Sequence, residues 1–159
     1  MKKTFIFLCI AIASCLSLSA EEGDMSVGVN LNYGTEISSL GLGGKFQYGI
    51  TDNIRGEFAF DYFFENSGLS MFNFDVIGHY LFEMEEGFRL YPLAGITLVN
   101  SQLDFGELGS GNDTGLGFKF GGGAEYDITP EVTLNAELKY SLVNTYDQMI
   151  ISIGAKYNF

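Results

Sequence analysis

Residues 148–159 read Gln-Met-Ile-Ile-Ser-Ile-Gly-Ala-Lys-Tyr-Asn-Phe, and their alternation decides the fold. Every second position is apolar, and the positions between are polar or glycine, with Ile150 as the one exception. Successive side chains of a β-strand point to opposite faces, so the segment predicts a strand with one apolar and one polar face. The apolar face carries Met149, Ile151, Ile153, Ala155, Tyr157 and Phe159.

The same alternation recurs in seven segments further towards the N-terminus. The eight predicted strands are Met25–Tyr33, Leu42–Ile50, Ile54–Phe64, Ser70–Glu83, Phe88–Val99, Gly115–Ile128, Val132–Leu142 and Gln148–Phe159. Tight turns at 51–53, 84–87 and 129–131 alternate with longer connections at 34–41, 65–69, 100–114 and 143–147. Such spacing predicts an all-β, eight-stranded antiparallel up-and-down barrel. The fifth strand is apolar on both faces, so the pattern does not fix which side chains point inward.

The first twenty residues predict an export signal. Lys2 and Lys3 precede an apolar run at 5–13, and small residues near Ser19 and Ala20 suit a cleavage site. We expect cleavage after Ser19 or Ala20, which divides the chain into a signal peptide, 1–20, and a barrel domain, 21–159. The apolar run is shorter than the roughly 20 residues that a membrane-spanning helix requires.

Both cysteines, Cys9 and Cys15, lie in the predicted signal peptide. Simple removal would leave the exported chain without a thiol. The segment 12–15 also resembles a lipobox, in which Cys15 would be lipidated. The residues leave both outcomes open.

The charge of the exported chain excludes one class of partner. Outside the signal, six basic residues face twenty acidic ones, so a nucleic-acid polyanion would be repelled. One domain accommodates this length, and no linker or low-complexity run interrupts it.

The side of the barrel on which the aromatic residues lie distinguishes a membrane protein from a soluble one. Eight strands enclose little volume, and phenylalanine and tyrosine at this density would overfill the interior. We therefore predict a transmembrane barrel with its aromatics towards lipid and its charges inside. Buried charges are costly unless they are paired, so the inner face should hold a network of ion pairs that plugs the lumen. Its predicted members are Lys45, Arg55, Glu57, Asp61, Asp75, His79, Glu83, Lys119, Glu125, Glu137, Lys139 and Lys156.

Three stretches, 90–95, 127–140 and 156–159, resemble the small eight-stranded outer-membrane β-barrel family of the OmpA and OmpX type. The resemblance covers the whole exported chain. It implies residence in the outer membrane of a Gram-negative bacterium after Sec-type export, contact with outer-membrane lipid and lipopolysaccharide, and a monomeric barrel. In this family a terminal aromatic is similar to the signal read by the barrel-assembly machinery, a role that would fall to Phe159.

Candidate catalytic and metal-binding residues are few. His79 is the only histidine, and it could act as a general base or simply pack within the lumen. Asp104, Glu107 and Asp113 could bind calcium or form a solvated acidic loop. The lumen and solvated-loop interpretations are preferred, so we expect no enzyme activity, no cofactor and no metal.

Two functions fit these features. The first is a non-catalytic structural or surface-interaction barrel with a charge-plugged lumen and short outer loops. The second is a narrow channel for small solutes, and a lipid-modifying enzyme is a more distant alternative. The sequence identifies no external ligand.

Overall fold

Nine β-strands make up almost all of residues 23–66, 69–104, 110–144 and 146–159, which the computed structural model describes. They are β1 (Met25–Gly34), β2 (Ser39–Gly49), β3 (Ile54–Asn66), β4 (Leu69–Tyr80), β5 (Phe82–Glu85), β6 (Phe88–Asp104), β7 (Ser110–Asp127), β8 (Val132–Val143) and β9 (Tyr146–Asn158). No helix in this part of the chain is long and apolar enough to cross a membrane. The predicted signal peptide lies outside the described residues and stays a prediction.

Hydrogen bonds close the strands into one antiparallel barrel. Strands that are consecutive in sequence pair with each other, except β4 and β5; β1 also pairs with β9, and β4 pairs with β6. β5 also pairs with β6, so β4 and β5 occupy one position of the barrel in succession. Eight positions result, which confirms the predicted fold class.

The alternation of side chains follows the sequence pattern. In β7, Phe118 points outward and is 67% exposed, whereas the adjacent Lys119 points inward and is 1% exposed. Apolar side chains thus cover the outside, and polar ones line most of the inside. A protein surface of this kind is stable in a lipid bilayer, which solvates apolar side chains.

The structure fixes the phase of the fifth predicted strand, now β6. Tyr91, Leu93, Thr97 and Val99 are buried inside, and the residues between them face outward or are half-buried. Both sets contain apolar residues, so periodicity alone could not separate them. The register does so, because it places Tyr91 opposite Gly123, which leaves space for a large inward ring.

The fourth predicted strand, Ser70–Glu83, is interrupted at Leu81. Leu81 donates its backbone N–H to the carbonyl of Asn53 at 2.7 Å, and the Asn53 side chain donates to the Leu81 carbonyl at 3.2 Å. The turn before β3 therefore forms the hydrogen bonds of the Leu81 backbone. The half-buried Leu81 side chain packs against Ile77, Tyr91 and Leu93. The expectation of one continuous strand was wrong.

All four predicted outer connections are partly strand. β6 runs to Asp104 and β7 begins at Ser110, so most of the predicted 100–114 loop is a paired hairpin. The 34–41 connection shrinks to 35–38, because Gly34 pairs with Ser39. Small and polar residues such as Gly and Asn are depleted in strands, but their backbones still form a ladder, and apolar alternation does not detect them.

The two ends of the barrel differ. We call the end with the connections after Gly49, Glu85 and Asp127 the turn end; Met25 and Asn158 also lie there. The opposite end, with the connections after Gly34, Asn66, Asp104 and Val143, is the loop end.

Candidate functional site in the barrel interior

The interior holds eleven of the twelve residues predicted to form the charge network. All eleven are buried, with exposed fractions from 0% to 7%. They are Lys45, Arg55, Glu57, Asp61, Asp75, His79, Lys119, Glu125, Glu137, Lys139 and Lys156.

Glu83 is not part of this interior set. It lies on β5, whose four residues are all exposed. The pairing of β3 with β4 ends at Ile54 and Tyr80, so β5 extends past the turn-end limit of β3. The prediction continued the fourth strand through the interruption at Leu81, and for this reason it placed Glu83 on the inner face.

Three cations surround Glu125 near the turn end. Arg55 binds both carboxylate oxygens, each at 3.0 Å, in a bidentate pair. The Lys156 Nζ lies 2.9 Å from Oε2, and the Arg89 Nε lies 2.7 Å from Oε1. Arg89 also reaches Asp127 at 2.6 Å. Such charge-assisted contacts are the strong class of hydrogen bond, so this cluster crosslinks β3, β6, β7 and β9.

Arg89 was missing from the predicted network because the phase of its strand was open. A signal was nevertheless present in the sequence. The apolar-polar order Phe88-Arg89-Leu90 at the start of β6 gives the inward position. Arg89 then lies opposite Glu125 in the ladder.

Glu137 is the centre of a second cluster in the middle of the barrel. Its carboxylate lies 3.3 Å from the Lys45 Nζ and 3.0 Å from the Lys139 Nζ, and it accepts a 2.8 Å hydrogen bond from the Tyr91 hydroxyl. Glu57 lies nearby and accepts a 2.5 Å hydrogen bond from Gln47. Two lysines thus share one fully buried carboxylate.

Tyr91 joins the two clusters through stacked rings. Its ring lies parallel to that of His79 at 4.8 Å, and the Arg55 guanidinium carbon lies 5.2 Å from the Tyr91 ring centre. The His79 Nδ1 faces the Arg55 Nη2 at 3.0 Å and accepts from the guanidinium, which is always a donor. His79 is therefore packed and hydrogen-bonded inside the barrel.

Further towards the loop end, the polar groups form smaller sets. Lys119 and Asp75 form a buried ion pair. Asn32 donates to Asp61 at 2.6 Å and accepts from Ser152 at 2.5 Å.

A cluster of apolar side chains occupies the interior at the loop end. Phe63, Met71, Val99, Val143 and Ile150 are buried together, and Ile37 of the first loop packs against them. The sequence prediction missed this cluster. Ile150 was its signal, since it interrupts the polar face of the last strand.

Metal-binding geometry is absent from the described part of the chain. No group of three or more His, Cys, Asp or Glu there could hold a metal ion. Of the proposed calcium loop, Glu107 and the side chain of Asp104 lie outside the described residues.

The interior polarity, the apolar exterior and the closed eight-position barrel agree with a comparison against protein families. The family model "Outer membrane protein beta-barrel domain" matches residues 5–159. The chain belongs to this family. It is a protein of the bacterial outer membrane, as the resemblance predicted.

Other members and relatives share the barrel. The attachment invasion locus protein of Yersinia enterocolitica is 27% identical over an alignment that covers 100% of both chains. The N-terminal barrel domain of Pseudomonas aeruginosa OprF has a TM-score of 0.77 at 16% identity, covering 87% of this chain and 99% of that one. Ail, the attachment invasion locus protein of Yersinia pestis, has a TM-score of 0.64 at 20% identity over 87% and 99%. Its structure was determined in complex with the heparin analogue sucrose octasulfate. The two TM-scores show a common fold.

For this barrel we predict that Glu137→Gln lowers the free energy of unfolding by about 3–5 kcal/mol, because Lys45 and Lys139 lose their shared buried counter-charge. Urea titration in detergent micelles, followed by heat-modifiable migration, measures the change. Glu85→Gln on exposed β5 is the control and should shift stability by less than about 0.5 kcal/mol. Equal unfolding midpoints for the two variants would contradict the interior charge network.

Proposed function

We propose that the protein is a non-catalytic outer-membrane barrel that stabilises the membrane and interacts with partners through its loop end, while paired charges plug its lumen. One observation carries the proposal: the inward ionisable side chains, of which Arg89 and Asp127 are partly exposed and the others buried, are bound to each other or to a polar neighbour. Groups engaged in this way are not presented to a substrate. The surfaces outside the lumen are therefore the parts that meet partners.

The β6–β7 hairpin is the prominent feature of the loop end. The β7–β8 pairing reaches Gly117 and Val143, whereas β6 and β7 stay paired up to Asp104 and Ser110. Seven further residues of β7 correspond to about 20 Å at the rise of an extended strand. On its other side β6 stays paired with β4 up to Leu103, so the length supports a raised rim of β4, β6 and β7 at the cell surface.

The charge of the loop end restricts the partner chemistry. Every lysine and arginine outside the predicted signal lies in β2, β3, β6, β7, β8 or β9 at an inward position, and none lies at 34–39, 64–70, 100–114 or 143–147. Sulfated polyanions are bound by basic side chains. The heparin analogue bound by Ail is thus a poor candidate here, and neutral or cationic partners suit the acidic loop end better.

Lipid and lipopolysaccharide are the proposed partners of the barrel wall, where large apolar side chains such as Phe58, Phe118 and Ile153 are exposed. The barrel closes its sheet within one chain through β1 and β9, which supports a monomer. Assembly by the barrel-assembly machinery is proposed through Phe159.

The second candidate is a narrow channel for small solutes. It is favoured by interior polar atoms without a protein partner, among them both side-chain polar atoms of Asn30, Asn73 and Asn135. Buried amides of this kind are usually satisfied by internal water. Water inside the barrel is needed for conduction but does not by itself provide a continuous path.

Planar-bilayer recordings separate the two candidates. We expect the purified protein to show no stable unitary conductance, because the clusters around Glu125 and Glu137 cross the lumen. Barrel formation in the same sample is checked by heat-modifiable migration. Large, long-lived openings would favour the channel.

The surface role is tested by shortening the hairpin. Residues 101–113 are replaced by Asn-Gly, because Asn100 and Thr114 face each other across the ladder and a two-residue turn can join them. We expect bacteria that display the variant to adhere less to an epithelial cell monolayer than bacteria that display the parent chain.

A second variant separates the effect of the hairpin's length on adhesion from the effect of its negative charge. Asp104→Asn, Glu107→Gln and Asp113→Asn together keep the hairpin and remove its carboxylates. Undiminished adhesion of the shortened barrel, at equal surface amounts, would contradict a role for the hairpin.

Phe159 is the proposed assembly signal, and its backbone also joins the chain ends. Its N–H donates to the Met25 carbonyl at 2.9 Å, and its ring stacks on Tyr157 at 6.3 Å. We expect deletion of Phe159 to lower the folded fraction in outer membranes. Phe159→Ala keeps the backbone contact and removes only the ring, so it tests the contribution of the ring alone. Normal yield of both variants would contradict the assembly role.

A further inference from the structure

The apolar cluster at the loop end points to a second closure of the lumen, different in chemistry from the ion pairs. We infer that Phe63, Met71, Val99, Val143 and Ile150 form a water-excluding seal that separates the polar interior from the outside of the cell. The inference rests on the closed barrel proposed above and extends it. The five side chains, with Ile37, are called the apolar seal.

The seal is built across the whole barrel. Its members come from β3, β4, β6, β8 and β9, and Ile37 is contributed by the connection between β1 and β2. Their exposed fractions run from 0% to 6%. Side chains from widely separated strands meet at one level only if they reach across the lumen, so the cluster fills its cross-section.

Glycines on neighbouring strands provide the space for the seal. Gly41 lies opposite Phe63, and a Cβ at Gly41 would lie 2.9 Å from the Phe63 ring. Gly117 lies opposite Val143, and a Cβ there would lie 2.9 Å from the Val143 Cγ2. A Cβ at Gly115 would lie 2.5 Å from the Val143 Cγ1. Large inward side chains thus alternate with glycine at this level, which is how a narrow barrel is packed without voids.

The interior changes chemistry directly on the turn side of the seal. Asn73 lies two residues beyond Met71, and its side-chain nitrogen and oxygen have no partner in the protein. The hydroxyl of Thr97, two residues from Val99, has none either. Orphan polar groups buried in this way are satisfied by water. The seal therefore lies between a polar, water-compatible interior and the loop end.

An apolar constriction blocks water and ions without using charge. Water in a narrow apolar segment loses hydrogen bonds, and such segments close pores by drying. The ion pairs deeper in the barrel hold their charges in a polar environment. The two closures act in series, and the seal controls access to the interior from outside.

Cysteine labelling from the outside tests the seal. Ser152→Cys places a thiol on the turn side of Ile150, at a fully buried position that now bonds Asn32. Intact cells are treated with a small charged methanethiosulfonate reagent. Glu36→Cys, in the exposed first loop, reports unhindered access, and the parent chain gives the background from Cys9 and Cys15.

The seal is opened with Phe63→Ala and Val143→Ala. The matched control is Phe64→Ala with Leu142→Ala, which truncates the adjacent outward side chains of the same two strands. We expect Ser152→Cys to be protected in the parent and in the control, and to react at least about tenfold faster in the opened barrel. Ile150→Ser, which restores a polar residue to the inner face of β9, provides a milder opening if the double variant folds poorly.

Two results would overturn the seal. One is labelling of Ser152→Cys at the rate of Glu36→Cys while the seal is intact. The other is equal protection in correctly folded, heat-modifiable Phe63→Ala/Val143→Ala and Ile150→Ser barrels. Stable conductance of the parent protein would instead contradict the proposed closed barrel, so the two failures are distinguishable.

Discussion

The pairing of β1 with β9 is the constraint on which the rest of the structure depends. A membrane interior offers no water to backbone groups, so a sheet can cross it only when its two edges bond to each other. Nine residue pairs, from Ser26–Asn158 to Gly34–Ile150, make this closure. Once the cylinder is closed, each residue has only two environments, lipid or lumen.

Closure makes the interior narrow, and narrowness determines the electrostatics. A lysine or glutamate that points inward cannot reach bulk water from the middle of the barrel, so it must find a partner across the lumen. Glu125 and Glu137 meet this requirement by each serving more than one cation. The ion pairs also join strands that are not neighbours in the sheet, so they oppose flattening of the barrel cross-section.

The period-two pattern predicted most of this arrangement. It identified the strands, their antiparallel order and the inward face of β3, β4, β7, β8 and β9, because apolar and polar residues there differ clearly. It could not predict the interruption at Leu81, whose backbone is hydrogen-bonded by the turn before β3. Nor could it predict the phase of β6, because both faces of that strand contain apolar residues. Both features depend on how a strand pairs with its neighbours, and the sequence of a single strand does not specify that pairing.

The candidate site was predictable to a similar extent. Inward charges follow from alternation, so the pattern indicated most of the residues that are buried here, whereas Glu83 and Arg89 lie on the two strands that the pattern described poorly. The apolar seal was missed for another reason. The rule that inward residues are polar is a statistical one, and Phe63 and Val143 were assigned no inward role.

The volume of the interior connects the ion pairs, the seal and the glycines. A Cβ at Gly123 would lie 2.6 Å from the Tyr91 ring, and one at Gly43 would overlap the Asp61 carboxylate. The same relation holds between Gly41 and Phe63 in the seal. Large inward side chains, whether charged or apolar, are thus matched by glycine on the next strand. A lumen filled in this way has room for water only between side chains, so opening it requires several of them to move together. Such coupled movement is costly in a close-packed interior, which favours a rigid barrel whose partners bind at its outer surfaces.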